Sequence, residues 1–408
     1  MYHSFHCRSI GASHIKKGIV CQDYANSMET TYYKLAVISD GHGGEDYFRS
    51  DKGSQFAVEA FCKCVEDAFC VSSSIEQDES FLQNKAKNFA DALNACKTEK
   101  QINEQIRWFI RSIVTRWNIL VDHDYHTHPF TETEMLHVSK KARLSYEKGE
   151  KIHSAYGATL IGVVLTDDFW FGIQIGDGKC VVFDMDGMDI EPIPWDENCF
   201  LNVTTSICDE NASHEMRYYF AKDLPAAIFV GSDGIDDSFK NTRHLHNFYR
   251  VALTSFACED YEKAVQGLND YLPNLSLQGS GDDMSIGGIL NIEHIKKHIE
   301  RYEKKKDPYL KIVRFGNLGT KTISDDYMQK KEIEASEGIV YLDVLGCNGF
   351  GTGIMQLEII AVDESSVTFI ANEKEYCVTS NTVVELKQQE VGNGIAEYDI
   401  ITIQCFFK

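Results

Sequence analysis

Apolar positions change their period twice along this chain. Up to residue 44 they come in short runs, from Phe5 to Ile10 and from Tyr33 to Ser39, the second halted at Asp40-Gly-His-Gly-Gly44. A run of four to eight apolar residues closed by a glycine turn predicts a buried strand. Between the two runs, Gly11-Ala-Ser-His-Ile-Lys-Lys-Gly18 reads as a polar loop. From Glu45 to about Arg143 the spacing shifts to three and four residues. Phe56 to Val65, and Ile102, Ile106, Phe109, Ile110, Ile113, Val114 and Trp117, predict amphipathic packing helices. The polar stretch Asp78 to Glu104 links or extends them. Asp122-His-Asp-Tyr-His-Thr-His-Pro-Phe130 invites a metal or phosphate reading, but a partly exposed loop before a helix near Thr131 is the simpler expectation.

From Tyr156 short apolar runs return, with Tyr156–Leu165, Phe169–Ile175 and Lys179–Phe183 as three successive strands. Thr166-Asp-Asp168 and Gly176-Asp-Gly178 are their expected turns, the latter a hairpin signal. Ala226–Gly231 predicts another strand, ending at Ser232-Asp-Gly234. A helix is expected from Tyr261 to Tyr271, and Gly279–Leu290 reads as a turn entering a last strand. Ile295 to Asp307 is a polar, lysine-rich helical stretch that ends at Asp307-Pro308 and reads as a linker, because proline stops helices. Beyond it the pattern is β-rich: Ile339–Leu345, Met355–Val362, Val367–Ile370 and Ile400–Gln404. Gly346–Gly353 lacks the strand-then-helix setting of a nucleotide loop and reads as a hairpin connection between the first two.

At 408 residues the chain is long for one core. The predicted division is a domain at 1–294 with a helical insertion at about 45–150, a linker at 295–308 and a β-rich accessory domain at 309–408. Hydrophobic content of 43% with 25% charged residues is ordinary for globular protein, and no apolar run is long enough for a membrane span. The N-terminus carries no signal-peptide pattern, and thirteen cysteines form no C-x-x-C pair, so reduced thiols in a cytoplasmic setting are expected. A zinc site from distant cysteines is the lesser alternative. A net charge of −22 argues against nucleic acid and anionic membrane as partners.

That acidity acquires a second meaning at the strand ends. Ile38-Ser-Asp-Gly41 and Val230-Gly-Ser-Asp-Gly234 both close an apolar run on Ser-Asp-Gly, Gly281-Asp-Asp-Met284 precedes one, and Gly176-Asp-Gly178 adds a fourth carboxylate. Each alone is an ordinary turn. Four carboxylates gathered in one partly desolvated place would raise their pKa values or recruit hard divalent cations. Two such ions suit phosphoester hydrolysis, and a nearby histidine can protonate the leaving oxygen.

The ordered set Gly11-Ala-Ser-His14, Cys21-Gln-Asp23, Asp40-Gly-His-Gly-Gly44, Tyr156-Gly-Ala-Thr-Leu160, Gly176-Asp-Gly178, Ser232-Asp-Gly-Ile-Asp-Asp237 and Asp282-Asp-Met-Ser285 resembles the metal-dependent type 2C Ser/Thr protein phosphatases, over about residues 3 to 292. The resemblance implies an α+β fold, a four-layer sandwich of two antiparallel sheets flanked by helices, with a smaller β-rich C-terminal domain. It implies hydrolysis of phosphoserine and phosphothreonine by a metal-bridging hydroxide at a Mn²⁺ or Mg²⁺ pair. By that likeness Asp40 bridges the ions, the Gly41 carbonyl binds the second, Asp233 and Asp282 complete the first, and Asp23 holds metal waters. His42 matches the general acid and Asp177 a third, weaker metal position. The implied partners are a phosphorylated protein and its Ser/Thr kinase or that kinase's targets, with the C-terminal domain as a protein-docking module.

Two positions depart from the pattern. Gln22 replaces a glutamate of the second metal's outer shell, and Gly18 falls where relatives carry a phosphate-binding arginine, leaving His14, Lys16 or Lys17 as substitutes. These departures keep open an alternative, a catalytically weakened protein of the same fold that binds phosphorylated partners. A metal-dependent nuclease is a more distant one, disfavoured by the acidity.

Overall fold

The computed structural model describes residues 1–69, 89–199, 204–239 and 241–303, and beyond them the strands named below. Two five-stranded antiparallel sheets build the first unit, Met1–Lys304. One has the order β1 (Tyr2–Ser9), β10 (Met284–Asn291), β9 (Ala227–Gly231), β6 (Lys179–Phe183), β7 (Asp189–Ile190). The other runs β2 (Tyr24–Glu29), β3 (Lys34–Ser39), β4 (Leu160–Leu165), β5 (Trp170–Ile175), β8 (Arg217–Ala221). The helices in chain order are α1 (Ala12–Lys17), α2 (Ser50–Phe69), α3 (Glu99–Thr127), α4 (Lys140–Glu147), α5 (Ala212–Glu215), α6 (Asp233–Asp236), α7 (Thr242–Cys258), α8 (Tyr261–Gln278), α9 (Ile292–Lys297) and α10 (Ile299–Tyr302).

The unbroken apolar runs follow from burial on both faces. Along β3, Leu35 and Val37 join a core with α2 and α3, while the alternate residues Ala36 and Ile38 join a core shared by the two sheets. β9 divides likewise, with Ile228 and Val230 between the sheets and Ala227 and Phe229 packed with α7 and α8. Side chains alternate across a strand, so a strand covered on both sides must be apolar at every position.

Several expectations change. The loop expected at 11–18 contains α1, and β2 went unread because it is a half-exposed edge strand bearing Asn26 and Ser27. The histidine-rich stretch is no loop up to Thr127: it completes α3, because Val121 and Asp124 continue that helix's buried stripe. The helix expected near Thr131 is a short 3₁₀ turn, Glu134–Leu136, followed by α4. Gly176-Asp-Gly178 closes no hairpin, since β5 and β6 belong to different sheets and the turn carries the chain from one to the other. The linker stretch starts as α9 and α10, whose Ile295 and Tyr302 are fully buried beside α7. Of Asp78–Glu104, residues 78–88 lie outside the described residues.

The second unit, Lys305–Lys408, contains two four-stranded antiparallel sheets. Their orders are β11 (Lys311–Phe315), β14 (Met355–Val362), β15 (Ser366–Ala371), β16 (Lys374–Thr379), and β12 (Gln329–Ala335), β13 (Gly338–Asn348), β18 (Ile400–Phe407), β17 (Val383–Leu386). Since β13 and β14 are in different sheets, Gly346–Gly353 does not close a hairpin between them; residues 349–353 lie outside the described ones.

A single buried cation seats the helical insertion. Arg49 donates to Glu134 Oε1 at 2.7 Å, Tyr156 Oη at 2.6 Å, the His128 carbonyl at 2.7 Å and Asp124 Oδ2 at 3.2 Å, and lies over the Phe130 ring. Replacing it would take the cation from half-buried Glu134 and leave buried Asp124 to Lys52 and Tyr156. Arg49→Met should lower unfolding stability by about 3 kcal/mol, read as a shift in the urea midpoint. An unchanged midpoint would show that the insertion is held by apolar packing alone.

Candidate functional site

Asp40 follows β3, Asp177 follows β5, Asp233 opens α6 after β9, and Asp282 precedes β10; all four line one cavity of about 790 Å³. Four turns distant in sequence thus deliver their carboxylates to one place. Gln22, Gly41, His42, His14 and Lys17 line the same cavity. Lys16 and Asp23 do not stand among its lining residues. Asp23 lies beneath, 1% exposed, and neither of its oxygens meets a donor in good hydrogen-bond geometry.

The Asp40-Gly-His turn is held by its backbone. Asp40 N–H donates to Thr159 Oγ1 at 3.0 Å, and Thr159 N–H donates to the Asp40 carbonyl at 2.7 Å. Gly41 N–H donates to the Gln22 carbonyl at 3.2 Å, and His42 N–H to the Gly157 carbonyl at 3.1 Å. A Cβ on Gly41 would stand 2.5 Å from the Ser50 carbonyl oxygen, so only glycine lets the turn pass between α2 and residue 22. The Gln22 side-chain amide donates to Ser50 Oγ at 2.7 Å and reaches the His42 carbonyl at 3.5 Å. The His42 ring meets Tyr47 edge to face.

Asp283, the neighbour to which no role was given, is the tie beneath the site. It is 3% exposed and accepts from Gly11 N–H and Gln22 N–H, both at 2.6 Å, with His14 Nδ1 3.0 Å away. Asp236 and Asp237 also line the cavity, as do Tyr47 and Trp195. The two carboxylates had a legible signal, their three- and four-residue spacing from Asp233 on one helix face. The aromatics had none, because they arrive from segments whose own patterns are unremarkable.

Charge is concentrated here with little to balance it. Burial raises the Asp40 carboxyl well above the usual range, and Asp233 and Asp23 push it further. Asp233 is raised to about 6, chiefly by burial, with Asp177, Asp282 and Asp237 adding to it against its hydrogen bond with Asp40. Asp23 is raised to about 7, first by burial, with Asp283 and Asp233 adding to it and Ser285 and Asp40 opposing. Burial lowers His42 to about 4. A cation in the cavity would relieve this repulsion, and an all-oxygen donor set with unpaired Asp23 oxygens fits a hard divalent ion. Among the described residues no three His, Cys, Asp or Glu side chains form a closed ligand set. Mg²⁺ tolerates that, because it keeps several waters and takes only one or two carboxylates.

A family model for protein phosphatase 2C matches residues 10–273. No curated protein matches the chain. Among solved structures, the chain is similar to the serine/threonine phosphatase Stp1 from Staphylococcus aureus, at 13% identity over 71% of this chain and 94% of that one, with a TM-score of 0.40. The S. agalactiae serine/threonine phosphatase shares 14% identity over 71% and 99%, with a TM-score of 0.40. The catalytic domain of the phosphatase PstP, solved in complex with two manganese ions, shares 12% over 71% and 97%, at 0.38.

Removing the buried tie tests this geometry. Asp283→Ala leaves the Gly11 and Gln22 N–H groups without their acceptor and should cost about 2 kcal/mol or more in chemical denaturation. A variant as stable as the parent would mean that those donors find other partners.

Proposed function

The chain belongs to the protein phosphatase 2C family, and on that premise we propose that it hydrolyses phosphoserine and phosphothreonine in proteins with the help of two divalent ions, Mn²⁺ or Mg²⁺, and a weaker third. The observation that carries this reading is the delivery of Asp40, Asp177, Asp233 and Asp282 into one cavity beside His42. Asp40 and the Gly41 carbonyl would hold the ion pair, with Asp233 and Asp282 on one ion, Asp23 behind them and Asp177 toward the third. When bound, such ions offset the carboxylate charge and make water a nucleophile near neutral pH.

The chain's own groups do the rest. His42, kept toward the cavity by Tyr47, passes a proton to the leaving oxygen of the seryl or threonyl side chain. The burial that lowers its pKa makes its protonated form a stronger acid and a scarcer one near neutral pH. His14 and Lys17 line the cavity where the phosphate would lie, and they take the part of the arginine absent at Gly18. Lys16 contributes charge from the exposed side of α1. Gln22 acts as a donor that fixes the His42 backbone. The substrates are phosphoproteins made by a Ser/Thr kinase, and the second unit, by its separate β architecture, serves as an accessory docking module in a cytoplasmic enzyme. No helix among the described residues is long and apolar enough to cross a membrane.

Three measurements test the reading. Mn²⁺ or Mg²⁺ should be required for turnover of a phosphothreonine peptide, and Asp233→Asn should abolish both turnover and the metal-induced rise in melting temperature. Turnover unchanged in that variant would misplace the metal site, and no turnover with either ion would favour a phosphorylation-dependent binding protein. His42→Ala should slow hydrolysis of alkyl phosphates by about 100-fold and barely affect p-nitrophenyl phosphate, whose leaving group needs no proton. Equal slowing of both would remove the acid role. Neutralising His14, Lys16 and Lys17 together should weaken phosphopeptide affinity, and an unaltered affinity would exclude all three from phosphate binding.

A further inference from the structure

Beside the cavity stands a patch that a soluble surface has no reason to keep. Every residue from Ile15 to Val20 is exposed, and the apolar ones lie bare: Ile15 at 61%, Ile19 at 39% and Val20 at 60%. Single exposed apolar residues are common, but three in six consecutive positions, interleaved with Lys16 and Lys17, form a contiguous amphiphilic lip.

The lip is fixed in place by the residues that build the site. The α1 backbone is bound from below: Gly11 N–H to Asp283, Ala12 N–H to Ser276 Oγ at 2.9 Å and Ser13 N–H to the Gly281 carbonyl at 2.9 Å. His14 turns inward against Asp283. Gly18 then ends the helix in the left-handed region (φ 69°), with Gly18 N–H donating to the Ile15 carbonyl and Ile19 N–H to the His14 carbonyl. In this double-bonded cap the residue after the glycine normally packs on an apolar side chain one turn earlier. Here that earlier residue is His14, buried on the opposite side, so Ile19 has no intrachain apolar partner in the cap. Ser13, His14 and Lys17 line the cavity. The lip therefore meets the cavity wall at Lys17.

We propose that Ile15–Val20 is the docking surface for the polypeptide that flanks the phosphorylated residue, selecting substrates with an apolar side chain and an acidic one beside the phosphosite. Charge complementarity chooses this occupant. Lys17 brings positive charge into a cavity wall that also carries Asp177, Asp236, Asp237 and Asp282, Lys16 adds its charge on the exposed side of the lip, and a phosphopeptide brings the matching negative charge. The apolar side chains of the lip account for the flanking residue. This inference rests on the phosphatase reading only for the identity of the cavity.

The test compares two fluorescent phosphothreonine peptides on the full chain by anisotropy, one with leucine and glutamate around the phosphothreonine and one with serine and glutamate, so that they differ only in the apolar side chain. The parent should bind the first about tenfold tighter. The triple variant Ile15→Ser/Ile19→Ser/Val20→Ser should lose that preference while hydrolysing p-nitrophenyl phosphate at the parental rate. Parental peptides bound equally, or a triple variant with its preference intact, would overturn the proposal. Higher nitrophenyl phosphate turnover in the triple variant would also overturn it, assigning the lip to an intrachain contact. Lost preference in a chain that turns over no phosphoester would keep the lip and remove the enzyme reading. Should the triple variant unfold more easily, Val20→Ser alone decides, with a two- to threefold loss of affinity expected and no loss counting against the lip.

Discussion

Three carboxylates that resist ionising side by side in a partly desolvated place, buried Asp23 and half-buried Asp40 and Asp233, meet at the ends of strands from two sheets. Desolvation and mutual repulsion both work against this arrangement, so the surrounding structure has to impose it. Continuous apolar strands do so. The core between the sheets, Ala36 and Ile38 facing Ile228 and Val230, leaves no freedom for β3 or β9 to withdraw the aspartates that follow them. The stress on the carboxylates is the physical basis for a cation site, and it arises from packing far from the charges themselves.

Asp283 supplies the second constraint. Its carboxylate ties Gly11, Gln22 and His14 to the segment that carries Asp282, so the N-terminal stretch and the β10 entry move as one piece. From Gln22 the connection passes to Gly41, the His42 carbonyl and Ser50, and from Ser50 to the adjacent Arg49 and the insertion. The amide at residue 22 takes on a specific meaning in this chain of contacts. A glutamate there could not donate to Ser50 or His42, so the glutamine trades a distant negative charge for a fixed backbone.

Much of the α+β organisation was legible from the period of the apolar residues. Strands buried on both faces, β3, β4, β5 and β9, wrote themselves as unbroken runs, and α2 and α3 as stripes of three and four. What went unread has two causes. β2 is a half-exposed edge strand and α1 is six residues long, so neither buries enough side chains to leave a periodic mark; α7 buries Leu245 to Arg250 in unbroken succession, polar residues among them, which blurs its stripe. The end of α3 was obscured by polar Asp124, which is buried where Arg49, Lys52 and Tyr156 receive it.

Local chemistry determined the carboxylates at the strand ends, the glycines that let Asp40 and Asp233 turn, and their order along the chain, because those features are set by neighbours a few residues away. Long-range packing decided everything that depends on which strands meet. It made Gly176–Gly178 a passage between sheets, not a hairpin. It gave Asp283 the structural part and Asp282 the exposed one, although adjacent identical residues cannot be told apart by pattern. It also turned His14 inward and left Ile15, Ile19 and Val20 in solvent, since the face a short helix buries is chosen by what it lands on.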